Sequence, residues 1–187
     1  MPDFYRNADS HYQPRAQPYL DAFVDAMLHN QNARAELVRS TSLEREFSET
    51  TVPFKEQHAS RDPSDKMKQP FWANYWSEPC ARCDCRPPGS KTMEIDALIF
   101  LRNVSGKVLA VHVEFKADDE RLSDDQARAY APRAQCYLEG RKSRKGVLRH
   151  DEFMTVLLHG AGDTVVDLAE HFTKCFTHSD VLKLASK

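Results

Sequence analysis

Asp96, Glu114 and Lys116 are the residues whose types and spacing point most directly to chemistry. Two carboxylates brought together, with a neighbouring backbone carbonyl, form the hard oxygen set that Mg²⁺ prefers and leave positions for water and phosphate. A lysine beside them can orient or deprotonate a water and stabilise charge building on a pentacovalent phosphorus. Together these groups would equip a site for phosphodiester hydrolysis. The triplet Glu114-Phe115-Lys116 carries little weight alone, because a Glu-x-Lys triplet is expected about once in a chain of this length. Its weight comes from the segment around it.

The runs MEIDALIFLR (93–102) and KVLAVHVEFKA (107–117) flank Asn103-Val104-Ser105-Gly106 and read as a β-hairpin whose strands are apolar on both faces. Such strands belong inside a sheet covered by helices. A three-residue loop at 104–106 would pair Asn103 with Lys107 and keep opposed residue numbers summing to 210. Asp96 then faces Glu114, and Lys116 shares that face opposite Glu94 while Phe115 points into the core. An acid in so apolar a strand is costly to bury without a partner. The plain alternative is a cross-strand ion pair on a half-exposed sheet, which the two-sided apolarity disfavours. His112 shares the face of Glu114, where a hydrogen-bonded core histidine is the ordinary reading.

Elements before and after the hairpin must hold it in place. Residues 1–17 read as a polar arm and 18–187 as a single domain. From Pro18 the apolar spacing of Tyr19, Leu20, Phe23, Met27, Leu28, Ala33, Leu37 and Val38 predicts one amphipathic helix or two short ones. SLEREF (42–47) follows, with Ser42 as a cap and Glu44 and Glu46 inside. Residues 53–90 hold six prolines, two tryptophans and a cysteine cluster. They read as a long irregular excursion with one strand or helical turn at Phe71–Trp76. LSDDQARAYAPRAQCYLEG (122–140) is helical in composition, but Pro132 predicts that the helix starts there and runs to about Lys142. A third strand is expected over Phe153–His159, then a last helix from Asp163 or Thr164 through Phe176.

Asp96, 17 intervening residues and then Glu114-Phe115-Lys116, set in a helix–strand–strand–helix–strand order, resembles the PD-(D/E)xK nuclease superfamily with its restriction-endonuclease-like fold. Ile95 stands where that family carries proline. The resemblance implies an α/β fold, a three-layer α/β/α core with a central mixed sheet. It further implies Asp96 and Glu114 as ligands of Mg²⁺ or Mn²⁺ and Lys116 as the catalytic lysine. Gln126-Ala-Arg-Ala-Tyr130 resembles the QxxxY element of the RecB-like exonuclease branch, which implies that Gln126 and Tyr130 hold the site or the nucleic acid. Many members place a glutamate of the first helix near the metal; Glu44 is the choice here, with Glu46 and Glu36 as rivals.

At 187 residues, 41% hydrophobic and 29% charged, the chain suits one globular domain and is too apolar for a disordered one. It holds no apolar run near the roughly 20 residues that cross a bilayer and opens without a secretory signal, so a cytoplasmic protein without membrane contact is expected. A net charge of -2 excludes a polycation that grips nucleic acid everywhere, so an anionic partner must meet a local patch. Residues 121–150 offer one, with eight cationic side chains against three acidic, a local net of +5. Within it Arg133, Arg141, Lys142, Arg144 and Lys145 are the candidate phosphate contacts, with DNA as the expected partner. Phe71, Trp72, Tyr75 and Trp76 could stack on bases, although plugging a hydrophobic hole is the better reading. Cys80-x-x-Cys83-x-Cys85 offers three thiolates for a structural Zn²⁺, with His58 or Cys136 as the fourth ligand. A non-catalytic nucleic-acid- or protein-binding module, stapled by zinc, is the alternative function. A homodimer and a further protein partner are left open.

Overall fold

One short side chain sets the centre of the fold. Asn103 Oδ1 accepts hydrogen bonds from Ser105 N–H at 3.0 Å, Ser105 Oγ at 2.8 Å and Lys107 N–H at 2.9 Å. Gly106 takes the positive φ of 88° that closes the turn. The Asn103 N–H donates to Lys107 O, so the three-residue loop and its register are those expected from sequence.

The computed structural model describes residues 14–61, 70–77, 93–141, 146–160 and 168–185. In chain order the elements are α1 (Gln17–His29), α2 (Gln31–Val38), α3 (Glu44–Phe47), β1 (Thr50–Thr51), α4 (Phe54–Ser60), β2 (Ala73–Ser77), β3 (Met93–Asn103), β4 (Val108–Lys116), α5 (Asp124–Leu138), β5 (Glu152–His159), β6 (Lys174–Thr177) and α6 (His178–Ala185). They form an α/β structure around one mixed, strongly curled sheet in the order β1-β3-β4-β5-β6, with β2 also paired to β3. β3 and β4 are antiparallel, whereas β4, β5 and β6 run parallel. No helix among the described residues is long and apolar enough to cross a membrane.

Each face of the central hairpin has its own cover. Ala97, Ile99, Leu101, Leu109, Val111, Val113 and Phe115 pack with Leu20, Phe23, Met27 and Leu37 of α1 and α2 and Val181 of α6. Leu98, Phe100, Val108 and Ala110 point the other way, to Tyr137 of α5. Side chains alternate along a strand, so two covered faces require the near-continuous apolar run that the sequence carries. The first helix breaks into two at Asn30, whose Oδ1 caps α2 by accepting from Asn32 and Ala33 N–H. In the excursion expected to be irregular, α4 forms, and β2 overlaps the segment expected to be regular and runs one residue past it. Phe71, Trp72 and Tyr75 there are fully buried plugs rather than stacking surfaces.

Two expectations for the C-terminal half are corrected. α5 does not begin at Pro132 but runs unbroken through it from Asp124, capped by Ser123 Oγ on Gln126 N–H. Pro132 and Arg128, four residues back, both lie on the solvent side, where water can satisfy the carbonyl that proline leaves without its donor. The buried stripe Ala127, Tyr130, Ala134 and Tyr137 supplies the tertiary packing that overrides the break. The last helix does not end at Phe176. Lys174–Thr177 instead adds a parallel strand to β5, Phe176 packs at 6.3 Å from Phe23, and the helix follows at His178–Ala185. Most of the expected arm, residues 1–13, and the segment 161–167 lie outside the described residues.

Replacing Asn103 removes three turn hydrogen bonds and the one its Nδ2 donates to Glu46 O at 3.1 Å. Asn103→Ala is expected to lower unfolding free energy by about 1–3 kcal/mol, read as a lower urea midpoint at unchanged slope. An unchanged midpoint would mean that the register is set elsewhere.

Candidate active site

β3 and β4 part company at one end of the hairpin. Their ladder stops at Ala97 and Val113, yet β4 runs on to Lys116 against β5, and β3 runs back to Met93 against β2. The alternation that starts at Asn103–Lys107 would make Ile95 and Phe115 the next bonded pair. There Asp96 Oδ2 accepts the Phe115 N–H at 2.7 Å. A side chain has replaced a ladder bond, and the register sum of 210 brings Asp96 and Glu114 face to face one step beyond the last pair.

Glu114 is the hub. Its Oε1 accepts from Lys116 Nζ at 2.9 Å and from Gln126 Nε2 at 2.7 Å, and its Oε2 accepts from the Tyr130 hydroxyl. Asp96 lies close enough for its charge to act on Glu114. Behind them Arg133 lies with its guanidinium carbon 3.9 Å from the centre of the Tyr130 ring and donates from Nη1 to Glu94 O at 3.0 Å. Glu114, Asp96, Tyr130 and Arg133 are all buried.

Burial sets the protonation of these groups. It pushes Glu114 up to about 8, helped by the charge of Asp96 and opposed by Lys116 and Arg133. Burial also raises Asp96, against the Phe115 N–H and the same two cations, and pushes Glu94 up to about 7. For Lys116 burial acts downward, but Glu114 and Asp96 outweigh it and hold the ammonium above its ordinary range. Burial thus favours the protonated form of both acids, beside a lysine that stays charged.

Two convergent carboxylates are hard oxygen donors of the kind a divalent cation uses, and a cation's charge would offset theirs as a proton does. Among the described residues no group of three or more His, Cys, Asp or Glu side chains converges to cage an ion. An ion here would draw its further ligands from backbone carbonyl and water, as Mg²⁺ does. No family model, curated protein or solved structure matches this chain. The side chains alone speak for the chemistry.

The hairpin trio and the Gln126–Tyr130 pair expected from sequence are thus brought together. Glu44 is not. It is exposed on α3, where its carboxylate accepts the Ser40 N–H at 2.8 Å. α3 lies at the turn end of β3, with Glu46 paired to Lys107, and Asn103 is seven residues, about 23 Å of strand, from Asp96. Glu46 falls with it, and Glu36 of α2 pairs with Arg39 just past the end of that helix. Tyr130 and Arg133, expected to meet nucleic acid, are 1% and 3% exposed and serve the interior instead. Arg141 is at the surface, paired with Glu139. Lys142, Arg144 and Lys145, and the candidate zinc ligands Cys80, Cys83 and Cys85, lie outside the described residues. Cys136 is buried in α5. His112 sits beneath the site, its ring 5.7 Å from that of Tyr137, and burial with the nearby Arg133 keeps it neutral.

Sequence reasoning missed the inward role of Arg133 and the ladder bond taken over by Asp96. The first had a signal: Gln126, Tyr130 and Arg133 stand at i, i+4 and i+7, one face of a helix. Breaking the helix at Pro132 hid it.

Because Glu114 binds its proton up to about pH 8 in the folded chain and only to about 4.5 when unfolded, the stability that proton lends is complete below 4.5. It is lost as pH rises through 8. His112 acts oppositely below its ordinary 6.5, and Glu94, pushed up to about 7, acts in the same sense as Glu114 near that pH, so Glu114 dominates from about pH 7.5 to 8.5. Across it the unfolding free energy read by urea titration should fall, on the order of 1 kcal/mol per pH unit, and Glu114→Gln should flatten the fall. An equal slope in that variant would place the proton elsewhere.

Proposed function

We propose that this chain is a metal-dependent nuclease that hydrolyses phosphodiester bonds, with DNA as its substrate class, on a restriction-endonuclease-like α/β/α framework. One observation carries the reading: Asp96, Glu114 and Lys116 meet in one buried cluster where β3 and β4 diverge. The resemblance noted in the sequence needs that convergence. The strand order and the helices on both faces of the sheet are in keeping with it. So is the grip of Gln126 and Tyr130 on Glu114, as the QxxxY likeness to the RecB-like branch implies.

Asp96 and Glu114 would hold Mg²⁺ or Mn²⁺. A bound divalent ion supplies Lewis acidity toward a phosphoryl oxygen and acidifies its water. Lys116, fixed by Glu114 and charged, orients the attacking water and offsets negative charge at phosphorus. Gln126 and Tyr130 keep the Glu114 carboxylate from rotating, so its oxygens are aimed before any ligand arrives. Exposed Arg121, Arg141 and Arg149 are available to phosphates beyond the cleavage point.

A second reading keeps the same contacts as an ordinary buried ion pair in a non-catalytic binding module, since Glu114 already has three donors. Labelled single- and double-stranded DNA and RNA, incubated with Mn²⁺ or with chelator, separate the two. Wild type should cut only with the metal. Lys116→Ala should fold, by its circular dichroism, and lose activity by about 100-fold or more. Cleavage that survives chelator, or full activity in Lys116→Ala, would remove the mechanism. No cleavage and no metal binding by wild type would favour the binding module.

A further inference from the structure

The two strands that carry the carboxylates no longer pair where the carboxylates meet, so something other than the ladder must hold their separation. The Phe115 N–H to Asp96 bond is one tie between them. A second runs through α5 and has Arg133 at its centre. On one side its Nη1 donates to the carbonyl of Glu94, two residues before Asp96 on β3. On the other its guanidinium carbon lies over the Tyr130 ring, 3.9 Å from the centre, and the hydroxyl of that ring donates to Glu114 on β4. Arg133 is 3% exposed, too enclosed to meet a phosphate on the surface. A guanidinium can do both jobs together, because its plane stacks while its edge donates.

We propose that Arg133 is a positioning residue that braces β3 against β4 and so fixes the gap between Asp96 and Glu114 into which a divalent cation fits. The inference rests on the metal-site reading above and names how that site is held ready. Arg133 touches neither cation nor substrate; it acts through Tyr130 and the Glu94 carbonyl. Its positive charge lies near both carboxylates as well, and opposes the upward push that burial gives each of them.

Two measurements on the full chain test it. Mn²⁺ affinity is read by electron paramagnetic resonance of the free ion, and hydrogen exchange is followed at the Phe115 amide, whose acceptor is Asp96 itself. In Arg133→Met, Mn²⁺ should bind tenfold or more weakly, as for other residues that orient metal ligands. The Phe115 amide should exchange about tenfold faster while those of Val111 and Val113, in the paired part of β4, keep their wild-type rates. Arg133→Lys retains the charge but not the stacking fork, and should resemble Arg133→Met in both readouts. It also serves alone if the methionine variant does not fold. Unchanged affinity and exchange, uniformly faster exchange along β4, or full rescue by lysine would each overturn the brace. If wild type binds no Mn²⁺ the metal reading itself fails, and the Phe115 exchange still decides whether Arg133 braces the strands.

Discussion

The ladder between β3 and β4 ends at Ala97–Val113, and the site depends on that ending. Beyond this point each strand keeps a partner on its far edge, β2 on β3 and β5 on β4, so both run on as strands while the sheet opens between them. A backbone N–H left in such an opening must find an acceptor or lose about 1–3 kcal/mol. For Phe115 the acceptor is a carboxylate. Asp96 is therefore fixed by the backbone of the strand that carries Glu114 and Lys116, and the register laid down at Asn103, at the far end of the hairpin, decides which acids meet.

Bringing two acids into so dry a place is possible only because other groups surround them. Lys116 contributes a full charge on the strand itself, and α5 contributes an amide, a phenol and a guanidinium from a single face. Gln126 lies in the first turn of α5, which also puts Glu114 near the positive end of that helix. Small residues at Ala127 and Ala134 let the helix come close to the sheet, and a nearer approach shortens every one of these contacts. His112, directly below, stays neutral and so adds no charge that would compete with Lys116 for Glu114. On this face Leu98 and Phe100 keep the paired part of the hairpin mostly apolar, with neutral His112 opposite Leu98, and the charged groups gather where the strands separate.

How far the sequence shows this differs from place to place for physical reasons. The hairpin was legible because turn chemistry and period-two alternation are local: Asn103 and Gly106 fix the loop, and the loop fixes the register of everything as far as Val113. α5 was misread because Pro132 is a strong local breaker whose cost is offset by burial of Tyr130 and Tyr137, which no window of sequence contains. β6 was missed for the same reason. KCFT has no turn signal of its own and becomes a strand by pairing with β5 and packing Phe176 on Phe23. Glu44 was a choice by analogy, and only the fold reveals that α3 sits at the wrong end of the hairpin. Arg133 belonged to a basic stretch by composition but to the interior by helical phase.

The contacts that make the cluster stable without a ligand are also those a ligand must share. Glu114 presents two oxygens, and Lys116, Gln126 and Tyr130 already approach both, while burial pushes its own proton affinity up to about 8. A cation in the proposed site would replace the proton and gain charge attraction, but it would meet the repulsion of an ammonium 2.9 Å from one of those oxygens. The amide and the phenol are neutral donors and can remain in place. Lysine is the one group whose charge sets it against the metal and whose flexible stem lets it swing aside toward a bound phosphate. On the nuclease reading, the lysine that pairs with Glu114 and the lysine that would act on a phosphate are two states of the same side chain.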